Sequence, residues 1–183
     1  LSDNVSAKPT TPFDPFNDRP SRTVRNTLAK MLESCLERGE VFADKPAELL
    51  HQFPESPYVA YIEDRVARYR AATTSMRATE NSPVTQAAIL RRHGLYFEAH
   101  EILEPHWLAT AGDEREGLQG LIQALGVFVH REAGQANAAQ KLARKALERL
   151  NRYGGAIRDQ QAMDIPALMD QLSRWMEAPE NPE

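Results

Sequence analysis

Apolar residues recur along this chain at intervals of three and four, the spacing of one buried helical face, and nowhere alternate with a strand's period of two. Val24, Leu28, Met31, Leu32 and Cys35 predict a first helix over about 21–38, with Gly39 as its stop. A short helix carrying Leu49, Leu50 and Phe53 follows Asp44 and ends before Pro54. Ser56-Pro57 and Ser82-Pro83 each read as a capping serine with proline in the first turn. The first opens a helix through Tyr58, Ile62, Val66 and Tyr69. The second opens one predicted to run on through His100 to the neighbourhood of Pro105. There the missing amide should kink or end it.

Asp113 with Glu116 three residues later resembles a capping box and predicts a helix to about Glu132. A further helix runs from about Gln135 to Tyr153, closed by Gly154-Gly155. A last one begins at Asp164 and buries Leu168, Leu172 and Trp175. The expectation is an all-α, single-domain multi-helix bundle whose short connections make neighbouring helices antiparallel. Its divisions are a flexible N-terminal arm (1–15), a helical domain (16–178) with its core over 83–153, and a frayed tail (179–183). Phe13 and Phe16 are placed to pin the end of the arm to the body.

The stretch GLYFEAHEILEPHWL, residues 94–108, departs from a plain apolar stripe. At about 100° per residue, His93, His100 and Glu104 share a face with Tyr96, Phe97, Leu103 and Trp107. That face is the one such a helix is expected to bury, and buried ionisable groups need partners. On the helix from Asp113, Gln119, Gln123 and His130 fall on one line with Gly126. Glycine in a helix interior costs about 1 kcal/mol, so Gly126 points to the close approach of a neighbour. Antiparallel pairing of the two helices would then bring Gln119, Gln123 and His130 toward His100 and Glu104.

Three readings of that cluster follow. In the first, His93, His100, Glu104, Trp107, Gln119, Gln123 and His130 form a buried polar cluster of a non-catalytic domain, an interaction module with no cofactor. In the second, His100, Glu104 and His130 ligate a divalent metal in a hydrolase, with Glu101 or Glu98 as base toward metal-bound water. In the third, His100 is a metal-free acid–base group oriented by Glu104, with Glu101 beside it. The motif HExxH is absent, because residues 100–104 read HEILE. The first reading therefore leads.

Two runs carry a family resemblance. Tyr96 to Glu104, followed by Trp107, resembles the hallmark of the domain-of-unknown-function family 309. Leu118 to Gln123, with His130, is similar to that family's second motif. Asn17-Asp18-Arg19, with Arg22 through Asn26, is similar to a lead-in of its longer members. The match covers roughly 84–153, and the first helix more loosely. It departs from the family pattern at Gln135 to Ala139, where glycines are commoner. The resemblance implies a small all-helical domain of bacteria, archaea and plastids, with no established activity.

Bulk properties narrow the partners. Of 183 residues, 42% are hydrophobic and 26% charged, enough for a sizeable core. A net charge of −4 disfavours a dedicated nucleic-acid binder. The single Cys35 offers no internal disulfide and no cysteine metal framework. With no membrane-length apolar run and no signal pattern at the first residues, a soluble cytoplasmic protein is expected. A protein partner or a homo-oligomer stays open. Lys141, Lys145 and Arg152, with Arg144 and Arg149 nearby, read as a solvated face, whereas Arg19, Arg22 and Arg25, every third residue, suggest an anion-binding edge.

Overall fold

A computed structural model describes residues 12–43, 46–77 and 82–177. Among them are nine α-helices and no strand. They are α1 Arg19–Glu37, α2 Ala47–Gln52, α3 Ser56–Met76, α4 Pro83–Arg92, α5 Tyr96–Ala109, α6 Gly112–Glu132, α7 Ala136–Tyr153, α8 Gln160–Met163 and α9 Ile165–Glu177. No helix among them is long and apolar enough to cross a membrane. The all-α expectation holds. Residues 1–11 of the predicted arm and the whole of the predicted tail lie outside the described residues.

Local signals explain most helix ends. Asp18 caps α1, its carboxylate accepting from the Ser21 amide at 2.8 Å, and Gly39 leaves the helix at φ +66°. Ser82 caps α4 as expected, accepting from the Thr85 amide at 3.2 Å. Two expected caps are not formed. Glu55 holds the capping position of α3, so Ser56 is already helical. Helix α6 starts at Gly112, so Asp113 lies inside its first turn. Glu116, freed from any capping box, reaches across to form an ion pair with Arg149.

Helices α5, α6 and α7 run antiparallel to one another in turn, as their contacts demonstrate. Between α5 and α6, Tyr96 stacks on Phe128 and Arg115 covers the Trp107 ring, so numbering rises in one helix as it falls in the other. Between α6 and α7, Gly117 lies against Tyr153, Gly120 against Arg149 and Leu150, and Gly126 against Leu142. The close approach inferred at Gly126 is therefore real, and its neighbour is α7. A Cβ there would lie 2.8 Å from Leu142 Cδ2. At Gly117 it would lie 2.6 Å from the Tyr153 carbonyl oxygen, a contact that backbone cannot relieve easily. The core runs through the bundle from Leu28 and Leu32 of α1, past Tyr69, Leu90 and Leu103, to Leu121, Leu125, Leu168 and Leu172.

Candidate functional site

The stretch expected to be one helix from Ser82 to Pro105 is two. Gly94 sits at φ +68°, ending α4, and α5 starts afresh at Tyr96. Two arginines of α3 hold this turn: Arg65 donates to the Gly94 carbonyl at 3.1 Å and Arg68 to the His93 carbonyl at 3.4 Å. His93 is thus the C-cap of α4, its Nε2 3.5 Å from Ser75 Oγ, and not a member of the α5 face. Pro105 does not end α5, which continues to Ala109. Arg115 then satisfies the carbonyls of Trp107, Leu108 and Thr110.

The break rotates the buried face. Leu95, Ala99 and Leu103 are fully buried, with Glu98 beside them. His100 falls at the border of that stripe, and Glu104 about a third of a turn beyond it. Their side chains are 25% and 48% exposed, so the expected burial of this pair is corrected. His100 Nδ1 is 3.3 Å from Glu101 Oε1 and its Nε2 3.6 Å from Glu104 Oε1. Ligating atoms of the three residues lie within 4.8 Å of one another, at the surface, a grouping exposed acidic side chains commonly adopt without an ion.

His130 is elsewhere. Its Nδ1 is 2.7 Å from Gln135 Oε1 and its ring stacks on Phe16 at 5.0 Å. No hydrogen bond among the described residues links His100 or Glu104 to Gln119, Gln123 or His130. Trp107 is only partly buried, although its Nε1 and the Gln123 Oε1 are shielded without hydrogen-bond partners among the described residues.

The buried polar network is a different one. Glu98 is 1% exposed and Arg65 7%. The Tyr69 hydroxyl donates to Glu98 Oε1 at 2.7 Å. Arg65 Nη1 lies 3.9 Å from Glu98 Oε2 and its Nη2 3.8 Å from Glu132 Oε2. Arg65 Nε and Glu98 Oε2 have no hydrogen-bond partner among the described residues. Burial works against the Arg65 charge, but the Glu98 carboxylate, with Tyr61 and Glu132, outweighs it and raises the guanidinium pKa. Burial and the adjacent Glu98 charge push the Tyr69 phenol well up. Burial chiefly pushes Tyr61 up to about 12. Tyr61, Arg65 and Tyr69 recur at every fourth position of α3, a stripe the sequence displays but apolar periodicity passes over.

A cavity of about 490 Å3 opens beside this network. Phe13, Asp14 and Phe16 wall one side, and Arg25 of α1 and Tyr61 and Arg65 of α3 another. Phe97 of α5 and Val129, Glu132 and Ala133 at the end of α6 complete it. Phe13 stacks on Tyr61 with centroids 3.7 Å apart, so the aromatic pin expected from the sequence is present. The wall is built in. Asp14 Oδ1 accepts from the amides of Phe16 and Asn17, at 3.0 and 3.2 Å. Arg22 donates to the carbonyls of Pro15 and Phe16, at 3.0 and 2.7 Å. The arginines expected to form one edge are therefore divided in role: Arg22 fastens the wall, and Arg25 lines the cavity with its guanidinium 3.9 Å above the Phe97 ring.

Fold and network together define a small helical bundle cross-linked by a buried ionic centre. Its residues 84–142 match the family model of a domain of unknown function, DUF309, bearing out the resemblance read from the two motifs. No curated protein and no solved structure matches the chain. The matched stretch supplies Phe97, Glu98, Val129 and Glu132, whereas Arg25, Tyr61, Arg65 and Tyr69 precede it.

Proposed function

We propose that this protein is a non-catalytic binding domain that takes a small molecule into the cavity between the 12–16 wall and helices α1, α3, α5 and α6. One observation carries the reading: a preformed hollow of about 490 Å3, rimmed by four aromatic rings and two arginines. Ligand sites are typically concave, several hundred Å3 in volume, largely apolar and supplied with a few placed polar groups. The wall's own hydrogen bonds and the Arg65–Glu98–Tyr69 network favour a site shaped before its ligand arrives, which lowers the cost of binding.

The enzymatic alternatives draw on His100, Glu104 and His130 with Glu101, but His130 is turned to Gln135 and Phe16, away from the other three. His100, Glu101 and Glu104 are exposed enough for water to screen their charges, and of them only Glu101 borders the small hollow of about 100 Å3 against α1. Positioning in a sheltered site is what makes acid–base catalysis effective, so the binding reading is the stronger.

A thermal-shift assay with naphthalene-sized aromatic fragments tests it, because a ligand bound only by the native state raises stability by mass action. At least one fragment is expected to raise the melting temperature saturably. Ala133→Trp, which places a large ring at an exposed lining position, should abolish the response without lowering the unliganded melting temperature. No shift at millimolar fragment, or an undiminished shift in Ala133→Trp, contradicts the proposal.

A further inference from the structure

We infer that the ligand of this cavity is an aromatic carboxylate, held through its carboxylate by Arg25; the inference rests on the binding reading above. It comes from asking which charges around the hollow are already committed. Four ionisable side chains line it besides Tyr61: Arg25, Arg65, Asp14 and Glu132. By formal charge they cancel. By partners they do not.

Asp14 is spent on the wall. Its two oxygens accept from the Asn17 side chain at 2.8 Å and from the amides of Phe16 and Asn17, contacts that hold its carboxyl below the usual range. Arg65 and Glu132 answer each other at 3.8 Å, and Arg65 also serves Glu98 and the Gly94 carbonyl. Among the described residues no carboxylate lies within ion-pair distance of Arg25. Its Nε and Nη2 share one neutral acceptor, Asn26 Oδ1, at 3.2 and 3.1 Å. Glu101 and Glu98 act on it only from farther away, and burial holds its pKa below the ordinary value. A guanidinium is nonetheless charged at any physiological pH.

The result is a half-buried cation pressed against Phe97, with unused donors beside a hollow. Removing such a charge from water is unfavourable unless an anion meets it, and a guanidinium fork fits a carboxylate in two parallel hydrogen bonds. The remaining walls ask for a flat apolar body. Phe13, Phe16, Tyr61 and Phe97 offer ring faces and edges, and stacked or edge-to-face aromatic contacts add to simple burial. The same rings could hold a cation over their faces, with Glu132 assisting. That alternative fails on the partner count, since the Glu132 carboxylate already faces Arg65 while Arg25 would be left unpaired beside a second positive charge.

Isothermal titration of the full chain with 2-naphthoate, 2-naphthamide and 2-naphthamidine separates the cases, because the three share one ring system and differ in charge. The carboxylate is expected to bind at least tenfold more tightly than the amide, and the amidine most weakly. Arg25→Gln should abolish the preference for the carboxylate over the amide, and Arg25→Lys should keep part of it. Equal binding of carboxylate and amide, tighter binding of the amidine, or a preference that survives Arg25→Gln overturns the assignment of ligand class while leaving the cavity a binding site. If none of the three binds, both the class and the cavity reading fall.

Discussion

Tyr69 and Glu98, 29 residues apart, meet at 2.7 Å with neither exposed to solvent. Phenol and carboxylate tie α3 to α5, and Arg65, one turn before Tyr69 on α3, extends the tie to Glu132 at the end of α6. The acidic residue of the FEAHE run that matters to the fold is therefore Glu98. Removing one partner of a buried ion pair strands the other charge and costs about 3–5 kcal/mol. Loss of a hydrogen bond to a charged acceptor costs about 1.5–3 kcal/mol. In urea denaturation, Glu98→Ala should be the most damaging, Tyr69→Phe intermediate, and Glu104→Ala within about 0.5 kcal/mol of wild type, as exposed positions usually are. A Glu104→Ala cost equal to that of Glu98→Ala would restore the cluster expected from the sequence.

The raised phenols give the protein an alkaline limit. Tyr61, pushed up to about 12 from an ordinary 10.0, binds its proton more tightly folded than unfolded. Its contribution is complete below about pH 10, where both states are protonated. It declines as pH rises from about 10 toward 12, where only the unfolded state ionises. Each such proton changes stability by about 1.4 kcal/mol per pH unit. Stability measured in urea between about pH 10 and 12 should thus fall less steeply in Tyr61→Phe, by up to that amount per unit. Equal slopes would show that the Tyr61 phenol ionises as it does in the unfolded chain.

The α6–α7 contact makes two glycines unequal. At Gly126 an added methyl meets only the end of a leucine side chain, which can turn aside. Gly126→Ala should change stability by less than about 1 kcal/mol, with improved helix propensity offsetting the crowding. At Gly117 it meets the Tyr153 carbonyl oxygen and Ile157, and overpacking there should cost about 1–3 kcal/mol. Thermal or urea unfolding of the two variants compares them directly. Equal effects would mean that α7 rides over Gly117 less closely than it does here.

Helix existence was legible because it rests on local signals: apolar spacing, Gly39, and the Ser82 cap. The break at Gly94 was not. An isolated glycine within a periodic run is compatible with a tolerated interior position and with a left-handed C-terminal cap. Here the choice is settled by Arg65 and Arg68, which reach the turn from α3. One unbroken helix would put His93, His100 and Glu104 on a common buried face. The break moved the first to a cap, the second to a border and the third into water. Glu98 was hidden for a related reason. A glutamate reads as surface until a partner is known, and its partners lie on another helix. The cavity is less legible still, since it exists only where the 12–16 wall, three helices and the end of a fourth converge. What the sequence did display was its aromatic lining, in Phe13, Phe16 and Phe97, and a run of arginines of which one, Arg25, faces the hollow.

The claim that the cavity is a binding site is tested most directly by mapping where a fragment lands. In an amide-resolved NMR titration with 2-naphthoate, the backbone signals of Phe16, Arg25, Tyr61, Phe97 and Ala133 should shift together along one saturable curve, while those of α9 and of the Lys141–Arg152 face stay in place. Shifts centred on His100, Glu101 and Glu104 or on α7, or signals around the cavity that do not saturate at millimolar fragment, would contradict it.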